Sequence, residues 1–326
     1  MKNLIKLHPW NKMNNEFLSI RNSEVRLFIV FTAALSFILL ISFIFDGKIK
    51  RNDFSVPSET VLKPFPSISI EAKAVYVYDI RAKTVFFAKN EDVRLPLASL
   101  TKIMSALVAQ DISLIHSSVT ITGEALKAEG DSGLYKDEKW SLKDLLDFSL
   151  LTSSNDGMRA VALSLGALSK ADATPEEIIN DFVGKMNIKA NELGLKNTYF
   201  WNETGLDESD IKGGAYGTAR DMSILVEYIL ANRPELFEAT REAETTFQSL
   251  DNYEHVATNT NSIIHEIPRL LVSKTGFTNT AGGNLVFAFD PELGRPFIIS
   301  ILGSTERGRF EDARTLIAGI MEYINY

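Results

Sequence analysis

A serine and a lysine one helical turn apart are the first residues whose types and spacing could carry out chemistry. The segment Ser99-Leu-Thr-Lys102 follows Leu95-Pro-Leu-Ala98, and Pro96 indicates that a helix begins about there. At a spacing of i, i+3 the two side chains lie on one helix face. The first turn of a helix offers unpaired N–H groups and the positive end of the dipole, which suits a nucleophile whose substrate oxygen becomes negative. A serine at a helix start is also a common N-cap, so this pair alone leaves both interpretations open.

Two further short motifs follow in order along the chain. Ser153-Ser-Asn155 is predicted on a turn between two helices, and Lys274-Thr-Gly276 on a strand. Taken singly, the first could be another N-cap and the second an exposed edge-strand lysine beside a turn. Together they form the ordered set S-x-x-K, S-x-N and K-T-G, with separations of 54 and 121 residues. A closely similar set is typical of penicillin-binding proteins and class A β-lactamases, which favours chemistry over three unrelated structural roles.

The elements that must position these motifs follow from hydrophobic periodicity. Alternating or β-branched runs predict strands, which cover 74–78, 84–88, 269–273, 285–289 and 297–302. Apolar residues at helical spacing predict helices, which cover about 100–108, 142–151, 157–166, 175–193, 219–232 and 310–324. Strands at both ends and helices in the middle indicate one sheet built from distant pieces of chain, with a helical lobe inserted.

Composition excludes several classes of site. The 326 residues include no cysteine and four histidines, and no H-E-x-x-H motif occurs. A thiol nucleophile, an iron–sulfur cluster and a multi-histidine metal centre are therefore not expected, and no cofactor is predicted. The formal net charge of −8 also argues against a nucleic-acid partner, because such proteins normally carry a basic face.

The N-terminal segment differs from the rest of the chain. Residues 1–51 hold eight Lys and Arg against three Asp and Glu, and 27–45 are nineteen residues without a charge. A helix of this length spans close to the ~30 Å hydrocarbon core, which favours an uncleaved anchor in the lipid bilayer over a cleaved signal peptide. We therefore expect a tail at 1–26, a transmembrane anchor at 27–45, and a linker at 46–68. The excess of basic residues before the span favours a cytoplasmic N-terminus and a single-pass cell-membrane protein with its body outside.

Residues 71–326 resemble the serine D-alanyl-D-alanine carboxypeptidases, the low-molecular-mass penicillin-binding proteins. Besides the three motifs, the similar segments are Tyr76–Asp79, Leu97–Met104, Leu145–Leu146, Leu193–Thr198, Asn202 with Gly205–Leu206, Thr218–Met222, Ala281–Gly283 and Leu302–Ser304. The resemblance implies an α/β (α+β) fold of the β-lactamase/transpeptidase type in a catalytic domain at 69–326. Its antiparallel sheet would be flanked by helices, with an inserted all-helical lobe at about 116–235.

The resemblance also implies an acyl-enzyme mechanism for the first two motifs. Ser99 would attack the terminal D-Ala–D-Ala bond of a peptidoglycan stem peptide, and β-lactams would acylate the same serine. Lys102 would be the base, provided that burial and a second cation, Lys274, lower its pKa. Ser153 would relay a proton to the leaving amine, and Asn155 would hold the substrate amide.

The third motif would bind the end of the substrate. Lys274 and Thr275 would hold the C-terminal carboxylate, while Gly276 would let the backbone approach the ligand closely. The N–H groups of Ser99 and Phe277 would form the oxyanion hole. Arg309 matches a family arginine near the carboxylate, although an arginine opening a helix is more often a solvated charge.

One segment departs from the family pattern and keeps other functions open. The segment Glu203-Thr-Gly-Leu-Asp207 is one letter from the E-x-x-L-N that supplies the deacylating glutamate in class A β-lactamases, so a lactamase is one alternative. The flanking segments favour Glu203 as a loop residue of a carboxypeptidase. A catalytically weak peptidoglycan-binding homologue is a second alternative, and the motifs do not separate a carboxypeptidase from an endopeptidase.

Many family members add a β-rich domain and a C-terminal membrane helix, for which the predicted elements leave no room.

Overall fold

A computed structural model describes residues 66–166 and 172–324 of the chain. The predicted tail and anchor, and the linker as far as residue 65, lie outside these residues. Within the two described stretches, no helix is both long enough and apolar enough to cross a bilayer.

The described residues form twelve strands and six α-helices. In chain order the strands are β1 Ala74–Asp79, β2 Thr84–Lys89, β3 Leu95–Pro96, β4 Ser118–Thr120, β5 Lys139–Ser141, β6 Tyr199–Phe200, β7 Ala215–Gly217, β8 Glu244–Gln248, β9 Glu254–Thr258, β10 Leu270–Thr278, β11 Gly282–Glu292 and β12 Arg295–Ser304. The helices are α1 Thr101–Ile112, α2 Leu142–Thr152, α3 Asn155–Gly166, α4 Pro175–Glu192, α5 Ala219–Asn232 and α6 Gly308–Ile324.

The central sheet joins the two ends of the described chain. Its five antiparallel strands lie in the order β10-β11-β12-β1-β2, and the register pairs Ala74 with Leu302. Because side chains alternate across a strand, neighbouring residues of β12 enter two different apolar clusters, one on each face. Ile298 packs into the cluster that includes α5, and Ile299 into the cluster that includes α6. The predicted mixed α/β fold, an antiparallel sheet flanked by helices, is therefore observed.

Helix α1 lies in the centre of the helical part, where it carries the first motif. Every residue from Thr101 to Ala109 is buried. An all-round apolar helix such as this one is packed on every side, as expected for a core helix. Lys102 is the one charged residue of this stretch, and its side chain is completely buried.

One expectation about the strands was wrong, and one hairpin was not predicted. The inserted lobe is not all-helical, because β4 pairs with β5 and the two-residue β6 joins a small sheet with β3 and β7. Segments of two or three residues are too short to show a period in sequence. The hairpin of β8 and β9 was not predicted either. Phe247 and His255 face each other across it and are buried, with exposed neighbours on either side, so alternation was present but weak.

Candidate active site

A short turn before α1 carries Ser99. Residues 98–100 form a 3-10 turn, and Ala98 adopts a left-handed φ of +48°. A non-glycine residue in this region is strained, so the surrounding structure must hold it. The side chain of Asn284 on β11 holds this turn, because it donates to the carbonyls of Pro96 (2.9 Å) and Leu97 (3.0 Å). Ser99 therefore sits on a fixed turn, and its Oγ accepts a bond from Lys102 instead of capping the helix.

Lys102 has three oxygen partners. Its Nζ lies 2.9 Å from Ser99 Oγ, 2.6 Å from Asn155 Oδ1 and 2.9 Å from the Thr204 carbonyl oxygen. An ammonium has three N–H donors, which these acceptors match. When the amine loses a proton, Asn155 and Thr204 can keep the two remaining N–H groups. The lone pair then points to Ser99 Oγ, and this arrangement can accept the proton of the serine hydroxyl.

Burial lowers the pKa of Lys102 to about 7, although the carboxylates of Glu203 and Asp156 oppose that shift. Near neutral pH a substantial fraction of the amine is therefore uncharged, as a general base requires. The sequence-based expectation attributed part of the shift to Lys274. In the structure the repulsion between the two lysines instead affects Lys274. Burial and the charges of Lys102 and Arg309 lower the pKa of Lys274 well below its ordinary value.

Ser153 and Lys274 form the second pair of the site. Ser153 ends α2 in a left-handed conformation with φ of +66°, and Lys274 Nζ donates to its Oγ at 2.9 Å. The capping role falls on the next residue, Ser154, whose Oγ accepts the Gly157 N–H at 2.9 Å. Lys274 lies on an edge strand but is 1% exposed, so it is not the solvated edge lysine that the motif alone could have indicated.

Asn155 begins α3 and links the site to the loop above it. Its Oδ1 accepts from Lys102, while its Nδ2 donates to the Glu129 carbonyl at 2.7 Å. Both ends of this amide are therefore occupied in the free protein. A substrate amide that uses Asn155, as the resemblance implies, must share or displace one of these two contacts.

Strand β10 runs directly past Ser99. A Cβ at Gly276 would lie 3.0 Å from the Leu97 carbonyl oxygen and 3.1 Å from the Ser99 nitrogen, so this close approach favours glycine. Thr275 is buried and its hydroxyl bonds the Thr260 hydroxyl at 2.5 Å. Phe277, in contrast, is 44% exposed and borders a cavity of about 450 Å³ together with Leu206, Thr278 and other residues.

Arg309 opens helix α6 without being a solvated charge. It is 7% exposed, and its Nη1 donates to the Gly276 carbonyl at 2.8 Å. Its Nε is buried and has no hydrogen-bond partner among the described residues. The third motif therefore presents two buried basic side chains, its own Lys274 and the neighbouring Arg309, whose N–H groups can bind a carboxylate.

Glu203 is a loop residue, as the carboxypeptidase-like interpretation predicts, but it is only 1% exposed. Its Oε1 lies 3.4 Å from Arg159 Nε on α3, and this ion pair is the carboxylate's closest charged contact. The structure thus directs the Glu203 carboxylate to Arg159, whereas a deacylating glutamate would have to hold a water against the acyl group on Ser99.

The structure brings the predicted residues together in two connected sets. Ser99, Lys102 and Asn155 form one, and Ser153 with Lys274 forms the other, with the rest of β10 and Arg309 alongside. Sequence reasoning missed four supporting residues, which are Glu129, Thr204, Thr260 and Asn284. The first two act through backbone carbonyls, which every residue type has. Asn284 could have been noticed as an amide inside the buried run of β11.

Comparison with protein families gives a match over most of the chain. Residues 59–305 match the D-alanyl-D-alanine carboxypeptidase family, peptidase family S11. The chain is 31% identical over 232 residues to the D-alanyl-D-alanine carboxypeptidase DacB2 of Mycobacterium tuberculosis, an alignment that covers 71% of this chain and 74% of that relative. Other curated relatives are longer, and the chain spans only 52% to 61% of three of them.

Solved structures share the fold. The Streptomyces K15 DD-transpeptidase superposes with a TM-score of 0.69 at 26% identity, over 79% of this chain and 98% of that one. Penicillin-binding protein D2 of Listeria monocytogenes, in its ampicillin-bound form, superposes with a TM-score of 0.64 at 25% identity, over 78% and 98%. The described domain therefore has the penicillin-binding, transpeptidase-like fold.

Proposed function

The chain belongs to the D-alanyl-D-alanine carboxypeptidase family of serine peptidases, and we propose that it removes the terminal D-alanine from peptidoglycan stem peptides through an acyl-enzyme on Ser99. The observation that carries this proposal is the contact of 2.9 Å between Lys102 Nζ and Ser99 Oγ, with Asn155 and Thr204 occupying the other two sides of the amine. A nucleophile next to a base that two further groups orient is the geometry of covalent catalysis.

Acylation begins when uncharged Lys102 takes the proton of Ser99. The Oγ atom attacks the carbonyl carbon between the two D-alanines, and the resulting oxyanion is held by the N–H groups of Ser99 and Phe277. The C–N bond then breaks as the proton taken from Ser99 passes from Lys102 through the Ser153 hydroxyl to the leaving amine, so free D-alanine departs and Lys102 is uncharged again. That hydroxyl touches Lys274 and can pass a proton onward.

Deacylation returns the enzyme to its starting state. A water molecule attacks the acyl carbon, gives up a proton to the same base, and releases the shortened peptide with a new carboxylate. Ser99 recovers its hydroxyl proton, so the cycle balances without a cofactor. Since Lys102 accepts a proton in both halves of this cycle, both depend on its uncharged form.

The free carboxylate of the substrate accounts for the two buried basic side chains, Lys274 and Arg309. Lys274 belongs to the K-T-G strand and Arg309 lies beside it. The Nε of Arg309, which has no partner among the described residues, is a donor that a carboxylate can satisfy. Thr275, the next residue of this strand, has a hydroxyl that bonds the Thr260 hydroxyl. A substrate without a terminal carboxylate would leave the buried Nε of Arg309 without a partner, and this cost favours a carboxypeptidase.

D-alanine release and β-lactam acylation test this function together. The full chain is incubated in detergent with a pentapeptide ending in D-Ala-D-Ala, and D-alanine is measured; a parallel sample with ampicillin is followed by intact mass. We expect D-alanine release and a long-lived adduct, both absent in Ser99→Ala, with Ser118→Ala, at an exposed position of β4, as the matched control. Ampicillin turnover without a lasting adduct would indicate a lactamase instead. Folded protein with neither activity would indicate a binding module, and cleavage of cross-linked peptides alone would indicate an endopeptidase.

We also propose that residues 27–45 anchor the enzyme in the cell membrane with its catalytic domain outside. The uncharged nineteen-residue run and the basic residues before it support this orientation. Protease added to intact cells should degrade the catalytic domain and leave an epitope tag at the N-terminus protected until the cells are lysed. Degradation of the tag in intact cells, or release of an unanchored domain into the medium, would contradict the proposed topology.

A further inference from the structure

A buried acid beside the site has no part in the mechanism above. The Glu203 side chain is 1% exposed, and its nearest cation is Arg159, at 3.4 Å from Oε1. Its Oε2 atom is buried without a hydrogen-bond partner among the described residues. Burying a carboxylate is costly unless charges compensate for it, so this placement calls for a role.

The backbone of the same residue lies along the helix that carries the base. Ser105 Oγ donates to the Glu203 carbonyl at 2.6 Å, and Lys102 Nζ donates to the next carbonyl, that of Thr204, at 2.9 Å. Asn202 Oδ1 accepts from the Gly205 nitrogen at 2.7 Å and so closes the loop after these two residues. The segment therefore has two attachments to α1, and the Glu203 side chain supplies a third attachment, to α3.

Charges surround the two groups on all sides. Lys102 is faced by Glu203 from the loop, by Asp156 from α3 and by Lys274 from β10. Glu203 is faced by Arg159 from α3, by Lys102 from α1 and by Glu208 from its own loop. Burial raises the pKa of Glu203, whereas the Arg159 guanidinium opposes that shift. Arg159 is therefore the largest influence that favours the ionised form of this carboxyl, with a backbone N–H and Lys102 acting in the same direction.

We propose that Glu203 is a positioning residue for the general base: held by Arg159, it keeps the Thr204 carbonyl against the Lys102 amine and sets the pH above which that amine can take the Ser99 proton. The inference rests on the proposed function, since it concerns the activation of Ser99. Glu203 acts through Lys102 and does not touch the reacting atoms.

The direction of the effect follows from the charges. An ionised Glu203 favours the protonated, inactive form of Lys102. Replacing it with the isosteric, neutral glutamine removes that preference, so the uncharged amine persists to lower pH. The low-pH limb of the acylation profile should therefore move to more acidic values, and the plateau at high pH should fall because the loop holds Thr204 less firmly.

The test is the rate of ampicillin adduct formation on the full chain between pH 5 and pH 9. Wild type should show an acid limb centred near the Lys102 pKa of about 7. In Glu203→Gln we expect the midpoint to fall by about one pH unit, the low end for an unlike charge in a buried site. Glu203→Asp keeps the charge but shortens the reach, so its midpoint should stay near wild type while its plateau falls.

Two further variants make the result decisive. Glu176→Gln makes the same charge change on an exposed residue of α4 beside Arg159, and its profile should match wild type. Arg159→Gln should move the midpoint in the same direction as Glu203→Gln, because the buried carboxyl then takes up a proton, and the double variant should move it no further. If Glu203→Gln does not fold, Arg159→Gln carries the same prediction.

An unchanged midpoint in folded Glu203→Gln and Arg159→Gln would overturn the inference and leave the proposed function intact. A wild-type chain that forms no adduct would remove both. A lower plateau with an unmoved midpoint in Glu203→Gln would show a purely structural residue, which also contradicts the proposed role.

Discussion

Lys102→Met is expected to lower the rate at which a β-lactam acylates Ser99 by about 10³-fold, within the range that a positioned general base contributes. Methionine has nearly the same length as lysine but cannot accept a proton. In the variant, Ser99 Oγ has no base within hydrogen-bond reach, since the other close lysine of the site, Lys274, bonds Ser153 instead. The measurement is the rate of adduct formation by intact mass at a fixed drug concentration.

The same variant separates lost chemistry from a lost fold. Lys102 is completely buried, and replacing a buried cation with an apolar side chain of similar volume is often neutral or stabilising. Two acceptors, Asn155 Oδ1 and the Thr204 carbonyl, lose a donor and offset part of that gain. We therefore expect a thermal midpoint close to wild type. Lys143→Met on α2 is the matched control and should keep the wild-type acylation rate. Acylation of Lys102→Met within tenfold of wild type would assign the base to another residue.

Gly205→Ala is expected to lower the free energy of unfolding by about 4 kcal/mol or more, which is exceptional for a single methyl group. Gly205 has a φ of +82°, and a Cβ there would lie 1.9 Å from the Ala98 carbonyl oxygen and 2.5 Å from Thr101 Oγ1. The first clash is with backbone, so relief requires the turn that carries Ser99 to move. The variant should therefore lose acylation as well as stability.

Gly184→Ala provides the matched control for this loss. Gly184 lies inside α4, and an added Cβ would meet no atom within 4 Å. Alanine is the better helix former by about 1 kcal/mol, so the control should raise the free energy of unfolding. Both values can be measured by urea denaturation followed by circular dichroism. A Gly205→Ala protein as stable as wild type would show that the loop is free to move away from Ala98.

The sequence indicated the residues of the candidate site more fully than the segments that surround them. Ser99, Lys102, Ser153 and Lys274 could be found because each is a reactive residue type in a recognisable spacing. The strands of the main sheet could be found because each is long enough to show a β-branched or apolar run. The bounds of α4 and α5 were predicted within a residue, since a capping box at Thr174 and an N-cap at Thr218 mark where they begin.

What could not be predicted depends on contacts between distant segments. The Thr204 carbonyl contacts Lys102 across 102 residues of sequence, and a backbone oxygen leaves no trace in residue type. Arg309 illustrates the same difficulty, because its buried side chain bonds the Gly276 carbonyl, which lies on a distant strand and not in the helix of Arg309. Glu203 was recognised as unusual from one motif, yet its partner Arg159 belongs to no motif at all.

The pairing of Ala74 with Leu302 has a consequence for the order in which the enzyme comes into being. A nascent chain presents Ser99 and Lys102 early, whereas the strand that carries Lys274 and its neighbours β11 and β12 follow much later in chain order. Contacts of such long sequence separation form slowly and only once both partners exist. A half-made chain therefore has the proposed nucleophile, but neither Lys274 and Arg309, which we propose bind the substrate, nor the strand that borders Ser99. Catalysis, and with it sensitivity to β-lactams, should therefore arise in one step, once β12 has been made.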